Sequence, residues 1–338
     1  MPGVLRRVIS ADALTADEAQ DVFAAIMSGH VTEAQIAALL TALAMRPTGP
    51  SAAEIIGAAR AMRAVARPVP VPAGLSVIDT CGTGGDHSGS FNISTAAALV
   101  AAGAGAVIAK HGNRSVTSRS GSSQVLEELG VHLAVTDETL TRCLVEARIC
   151  FCFAPAHHPA MKHVVPVRQQ LGFRTIFNML GPLTNPASAT RQVLGVWSEP
   201  MTDLIASVLL QLGSVHAMVV HGSGLDEITT TGPTRIATVH RGSITTTTFT
   251  PQSLGIAPAT ADDLKAADVA DSARIIRSVL GGERGPARDI VCINAAAALV
   301  VADVATDLSQ GLTMAQRAID SGAAKATLDR LIDITRGR

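Results

Sequence analysis

Glycines, hydroxyls and carboxylates gather at three places in this chain of 338 residues, each just after a short apolar run. The first is Asp79-Thr-Cys-Gly-Thr-Gly-Gly-Asp86, continuing through Ser88-Gly-Ser-Phe-Asn-Ile-Ser-Thr95. Gly82, Gly84 and Gly85 permit positive φ and let backbone amides approach a ligand closely. Asn92, Ile93, Ser94 and Thr95 read as a helix start, whose first turn exposes free N–H groups and the positive end of the dipole. With the hydroxyls of Ser90, Ser94 and Thr95 added, the segment has the chemistry of a phosphate cradle. No Gly-Lys-Ser/Thr follows, so it is not a Walker A loop, and it is not GxGxxG either. From this segment alone, a plain glycine turn at a strand–helix corner stays open as the alternative.

The second place is Lys110-His-Gly-Asn-Arg-Ser-Val-Thr-Ser118, followed by Arg119, Ser120, Gly121 and Ser122. It offers cations, hydroxyls and an amide. Ligands of open α/β sheets lie beyond the carboxyl ends of strands, so the first two loops are expected to face one cavity. For either loop by itself, a solvated surface segment is the alternative. The third place is His221-Gly-Ser-Gly-Leu-Asp226-Glu227. Its adjacent carboxylates are candidates for Mg2+, which takes few carboxylates together with water and phosphate oxygens; acidic pairs on turns are otherwise merely solvated. His157-His158 with Lys162 and His163 lacks a cysteine or carboxylate at zinc spacing, so His157 reads as cavity lining rather than a ligand. Arg168 matches a substrate carboxylate bidentately, with an ordinary surface arginine as the alternative. No Gly-x-Ser-x-Gly elbow and no Ser/His/Asp or Cys/His nucleophile system is legible, so no catalytic side chain is assigned.

The elements that must position these loops fall into two textures. Up to residue 68 the chain reads as helices only. Thr15-Ala-Asp-Glu18, Thr32-Glu-Ala-Gln35 and Ser51-Ala-Ala-Glu54 are capping boxes, each opening an apolar-periodic run. Arg67-Pro-Val-Pro-Val-Pro72 reads as a stiff linker. Beyond it, apolar runs at 76–79, 106–109, 149–153, 193–197 and 217–220 alternate with helical patterns at 94–102, 122–129, 137–147 and 201–212. That alternation predicts βαβ units around a mostly parallel sheet. A hairpin is expected over 236–249, then helices to the end. The fold class is therefore α/β: a small helical N-terminal domain at 1–68 and a larger α/β domain at 73–338.

Composition sets the outer limits. Hydrophobic residues are 47% and charged residues 16%, which excludes a disordered chain. Aromatics are only 2%, against a base-stacking platform for nucleic acid, and the net charge of -1 gives no general pull toward nucleic acid or anionic membrane. The apolar run Ala96 to Ala109 is too short for a bilayer. Five cysteines without a CxxC pair, and no signal peptide in view, suggest reduced thiols in a cytoplasmic protein.

At Gly82-Thr-Gly-Gly-Asp86, Phe91-Asn-Ile-Ser-Thr95, Lys110 to Ser118, Ala154-Pro-Ala-His-His-Pro-Ala-Met-Lys162, Arg174-Thr-Ile-Phe-Asn-Met-Leu-Gly-Pro-Leu-Thr-Asn-Pro186 and Leu225-Asp-Glu227, the chain resembles the anthranilate phosphoribosyltransferase family of tryptophan biosynthesis. The motifs run in the family's order over nearly the whole chain. The resemblance implies a helical domain completed by helices within about 160–190, hinged to the α/β domain, and a homodimer formed through the helical domain. It implies transfer of phosphoribose from 5-phosphoribosyl 1-diphosphate (PRPP) to the amine of anthranilate, giving N-(5-phosphoribosyl)anthranilate and diphosphate. By motif, Gly82, Gly85, Asp86, Ser90, Asn92, Ile93, Ser94, Thr95, Lys110, His111, Gly112, Asn113, Arg114, Ser115, Val116, Thr117, Ser118 and Ser122 would hold PRPP. Gly82, Asn113, His157 and Arg168 would meet anthranilate, and Ser94, Asp226 and Glu227 would ligate Mg2+, two ions per subunit. One departure stands out: relatives commonly read Gly-Ser-Ala-Asp where this chain reads Gly121-Ser-Ser-Gln124.

Two other readings share the fold. A pyrimidine nucleoside phosphorylase would carry different residues at Lys110-His-Gly-Asn-Arg-Ser. A non-enzymatic nucleic-acid-binding relative would show a basic groove and a degraded metal pair, whereas Asp226-Glu227 is intact.

Overall fold

Four helices precede the first strand in the computed structural model, which describes residues 1–86, 88–114 and 120–338. They are α1 (Pro2–Ile9), α2 (Ala16–Met27), α3 (Glu33–Met45) and α4 (Ala52–Val65). Thr15, Thr32 and Ser51 each accept the backbone N–H three residues on, and Glu18, Gln35 and Glu54 return the bond, so all three capping boxes form. α1 was not signalled by such a box. It starts on Pro2, whose missing N–H costs nothing there, and ends with Arg6 and Arg7 against its negative pole. Buried Glu54 also accepts from Leu14 N (3.1 Å) and pairs with Arg46 (2.8 Å), tying three segments of the helical layer together.

The rest of the chain builds one sheet in the order β3-β2-β1-β4-β5-β6-β7. Its strands are β1 (Ile78–Gly82), β2 (Ile108–Gly112), β3 (Ile149–Phe153), β4 (Arg191–Gly195), β5 (His216–Gly222), β6 (Thr234–His240) and β7 (Ser243–Phe249). The first five run parallel, and β6 and β7 add antiparallel as the expected hairpin. The chain begins in mid-sheet, winds outward through β2 and β3, then restarts on the other side at β4. The loops after β1 and β4 therefore part, and that reversal is where such sheets open a crevice.

Period-two alternation gives each strand two faces. Val193, Met218 and Val220 join a core with α5 (Ile93–Gly103) and the helix Pro286–Val301. Leu194, Val196, Ala217 and Val219 face the other way. That second core runs without a break through the helix Pro200–Gln211, through Val164, Val167, Ile176 and Phe177, and into α2, α3 and α4. Strands β1 and β2 end later than the apolar runs imply, because Asp79, Thr80, Lys110 and His111 are buried polar residues that stay in the ladder. The helix expected over 137–147 turns from α into π at Cys143. No helix among the described residues is long and apolar enough to cross a membrane.

Candidate active site

The site begins with two missing side chains. A Cβ on Gly82, the last residue of β1, would lie 2.4 Å from Asp226 Oδ2, and one on Gly195, the last of β4, would lie 1.5 Å from the Asp226 carbonyl oxygen. The loop after β5 thus crosses the ends of both strands in space that only glycine leaves. Ser223 and Gly224, both with positive φ, make the tight turn that sends it there, closed by paired bonds between Gly222 and Leu225. Asn294 of the helix Pro286–Val301 then pins the loop: Oδ1 accepts Ile228 N–H at 2.9 Å, and Nδ2 donates to Ile228 O at 2.8 Å.

So placed, Asp226 accepts Gly84 N–H at 2.8 Å and Glu227 accepts Ser94 N–H at 3.0 Å, at the first turn of α5. Asp226 N–H points to Asp86 Oδ2 at 3.5 Å. Burial, then the charge of Asp86, pushes the Asp226 carboxyl up to about 7. Burial, then the charge of Asp226, pushes Glu227 well above the usual carboxylate range. Three crowded carboxyls of hard oxygen, with one water-sized cavity of about 10 Å³ beside Ser94 and Glu227, suit a divalent cation that would relieve the repulsion.

Lys110 lies beneath this group, only 2% exposed. Its ammonium donates to Thr80 O and to Ser94 Oγ, the latter at 3.3 Å, and burial lowers its pKa. Asp79 answers from the interior: its carboxylate accepts His111 N–H (3.0 Å) and Asn185 Nδ2 (2.7 Å), while burial raises its pKa.

The first two loops meet where Asn92 Oδ1 accepts from Ser120 Oγ (2.5 Å) and Ser272 Oγ (2.9 Å). Ile93 and Thr95 are buried in the first turn of α5, and Thr95 Oγ1 has no partner among the described residues. Ser90 Oγ receives Ser88 Oγ at 3.0 Å. A Cβ on Gly112 would meet Ser122 Oγ at 2.3 Å, so that turn is as crowded as the first. Ser122 opens α6 (Ser122–Leu129), with Asn113 O as its acceptor at 3.4 Å; Arg114 instead pairs outward with Glu127 at 3.0 Å. Gln124 accepts Gly121 N–H at 3.1 Å, so the residue that departs from the family pattern still serves that helix start. Ser115, Val116, Thr117 and Ser118 lie outside the described residues.

The remaining assignments separate. His157 is turned to the linker, with Nδ1 3.0 Å from Arg67 O. Its neighbour His158 is the one brought to His111, with ring centroids 5.1 Å apart. His111 Nδ1 donates to Gly181 O at 3.0 Å, which leaves Nε2 as a lone-pair acceptor without a partner among the described residues; His158 Nε2 is likewise unpaired. Arg168 lies on the helix Val165–Leu171 with its guanidinium over the Phe177 ring at 5.7 Å, and makes no side-chain hydrogen bond or ion pair among the described residues. Residues that motif reading did not assign are His158, Asn185, Asn294 and Arg174. The guanidinium of Arg174 stacks on Trp197 at 5.2 Å, and its Nε lies 3.0 Å from the Cβ position of Gly85 (φ +76°). A position inside a long motif signalled His158, Asn185 and Arg174 beforehand, and Asn294 had no such signal.

Sequence comparison finds relatives over nearly the whole chain. The glycosyl transferase family, a/b domain, matches residues 74–325, and its helical bundle domain matches residues 2–66. Anthranilate phosphoribosyltransferase of Methylobacterium nodulans is 50% identical over 332 residues, covering 98% of this chain and 97% of that protein. The enzyme of the same name from Rubrobacter xylanophilus is 49% identical over 334 residues, covering 98% of this chain and 96% of its own. The chain belongs to the anthranilate phosphoribosyltransferase family. The fold of the Thermus thermophilus anthranilate phosphoribosyltransferase is similar, with a TM-score of 0.92 at 41% identity, covering 98% of this chain and 99% of that one. The Saccharomyces cerevisiae enzyme, solved in complex with PRPP and Mg, has a TM-score of 0.89 at 28% identity, covering 99% and 97%. An anthranilate phosphoribosyltransferase transfers the phosphoribosyl group of PRPP to anthranilate, in tryptophan biosynthesis, and that is the reaction of this chain.

Proposed function

We propose that the loops after β1, β2 and β5 hold PRPP and anthranilate side by side, and that catalysis is electrostatic and positional. The observation that carries this reading is the meeting of Asp226 with Gly84 N–H and of Glu227 with Ser94 N–H, which joins two loops remote in sequence. Gly82, Gly85, Asp86, Ser90, Asn92–Thr95, Lys110–Ser118 and Ser122 form the PRPP side. Asp226, Glu227 and Ser94 hold Mg2+, as two ions per subunit. Bound Mg2+ supplies charge stabilisation to the departing diphosphate. The chain's own part is to present amides and hydroxyls to the phosphates and keep Lys110 as a buried counter-charge to the carboxylates.

Anthranilate lies with its carboxylate toward Arg168, whose guanidinium makes no hydrogen bond or ion pair among the described residues, which supports that role, and its amine toward the ribose C1 near Gly82 and Asn113. The aniline nitrogen is nucleophilic without prior deprotonation. His111 and His158, held neutral with pKa values near 3 and 4, are poor bases, which supports a mechanism that relies on proximity instead. His157 orders the linker beside the entry.

The domain division proposed is a helical domain at 1–68, completed by helices within about 160–190, and an α/β domain at 73–338. The core shared by α2–α4 with Val164, Val167, Ile176 and Phe177 supports it. A homodimer through the helical domain is supported by Ile9 and Met45, which are 69% and 79% exposed on α1 and α3. A cytoplasmic setting suits free, reduced cysteines.

The deciding experiment follows anthranilate fluorescence after addition of PRPP and Mg2+. Fluorescence should fall with the wild-type chain and stay unchanged with Asp226→Asn/Glu227→Gln. Normal turnover in that double variant would remove the metal assignment, and a trapped ribosyl-enzyme adduct would remove the positional mechanism.

A further inference from the structure

Outside the site, the described residues contain one group of three metal-type donors: His216, His240 and Asp303, whose ligand atoms lie within 4.8 Å of one another. They sit at the opposite end of the sheet from the phosphate loops. Arg191 begins β4, His216 begins β5 and His240 ends β6, and the strand register pairs Arg191 with His216 and His216 with His240. The three make one row across the sheet. Asp303 closes the row from the turn after the helix Pro286–Val301, in a left-handed conformation (φ 56°).

The geometry points to a divalent transition-metal site of the Zn2+ class at His216, His240 and Asp303, clipping the sheet end to that helix. His216 Nδ1 lies 3.2 Å from Asp303 Oδ1. Two ligands each about 2.0 Å from a tetrahedral zinc are about 3.3 Å apart, so this edge already has the spacing of a coordination sphere. The His216 and His240 rings stack face to face at 4.2 Å, and His240, half-buried at a strand end, is the ligand that turns to complete the set. A metal at His216 Nδ1 needs that nitrogen's lone pair, so the neutral ring binds as the tautomer that carries its one proton on Nε2, with no net proton release.

Arg191 has the outer-shell role. It donates to Asp303 Oδ2 at 2.6 Å and to Val301 O at 2.8 Å, so Oδ1 is left aimed at His216. Its charge opposes the cation and weakens the expected affinity. Two imidazole nitrogens and one carboxylate select a borderline cation over Mg2+, the reverse of the all-oxygen set at Asp226 and Glu227.

The test is calorimetric titration of the metal-free full-length protein with ZnCl2, in excess Mg2+ to occupy the oxygen site. One equivalent should bind to wild type and to Asp226→Asn/Glu227→Gln, and this binding should be lost in His240→Ala and in Asp303→Asn. Co2+ added to wild type should give the intense visible bands of a four-coordinate site, a reading that needs no folded variant. Binding that persists in His240→Ala, no saturable binding at all, or only the weak bands of octahedral Co2+ would overturn the site.

Discussion

Asp226 occupies the space that any side chain at Gly82 would need: a Cβ there would sit 2.4 Å from Asp226 Oδ2. Residues 144 positions apart in the chain are thereby in direct steric register. The Gly82→Ala variant should fold, because the end of the Asp226 side chain can swing aside, but its carboxylate must then leave Gly84 N–H. Misplacement of this size in a catalytic constellation costs about 100-fold in rate. Steady-state kinetics should show that fall with an unchanged thermal midpoint, and near-normal kcat would show that the contact has no catalytic consequence.

Arg168 separates substrate binding from the rest of the chemistry. A charged hydrogen-bonded pair is worth about 1.5–3 kcal/mol, so Arg168→Ala should raise the anthranilate KM about 10- to 100-fold. PRPP affinity, measured by calorimetry, should stay within about twofold on the same reasoning. If both substrates weaken alike, the guanidinium does not face the carboxylate.

Asn294 touches no proposed substrate atom, yet it holds the Asp226–Glu227 loop through both backbone groups of Ile228. Asn294→Ala leaves that buried N–H and C=O unpaired, at about 1–3 kcal/mol each. Denaturant unfolding should show the loss, and the Mg2+ concentration for half-maximal activity should rise. Retention of both values would place the loop under other control.

His111 and His158 provide a pH signature. Burial, then the charge of His158, holds His111 at about 3, and burial, then the charge of His157, holds His158 at about 4, both below the ordinary 6.5. Below 6.5 the unfolded chain takes protons that the folded chain refuses until those lower values. Stability therefore falls as pH drops from 6.5 toward 3–4 and is flat for these groups above 6.5. Ring proton resonances of both should stay at their neutral positions down to about pH 5; a midpoint near 6.5 would mean that the rings are solvated in the folded protein.

Much was legible in the chain itself, for local physical reasons. Thr15, Thr32 and Ser51 cap their helices with residues three positions away, so those starts need nothing remote. Apolar runs spaced by helices state an α/β sheet because burial on two faces strongly favours apolar residues. The three strand-end clusters carried their chemistry in residue type: glycine, hydroxyl and carboxylate.

What tertiary structure alone decided is which of these meet. Nothing near Gly195 in sequence says that a carbonyl oxygen of Asp226 will fill its empty side, because that crowding arises only when β1, β4 and β5 lie adjacent. His157 and His158 are equivalent as letters, but the fold gives one to the linker and the other to His111. Asp79 and Lys110 look like breaks in apolar strands until the packed interior supplies partners, Asn185 from the loop before β4 for the one and the Thr80 carbonyl for the other, since a buried polar group is tolerable only when its hydrogen bonds are met from elsewhere in the fold.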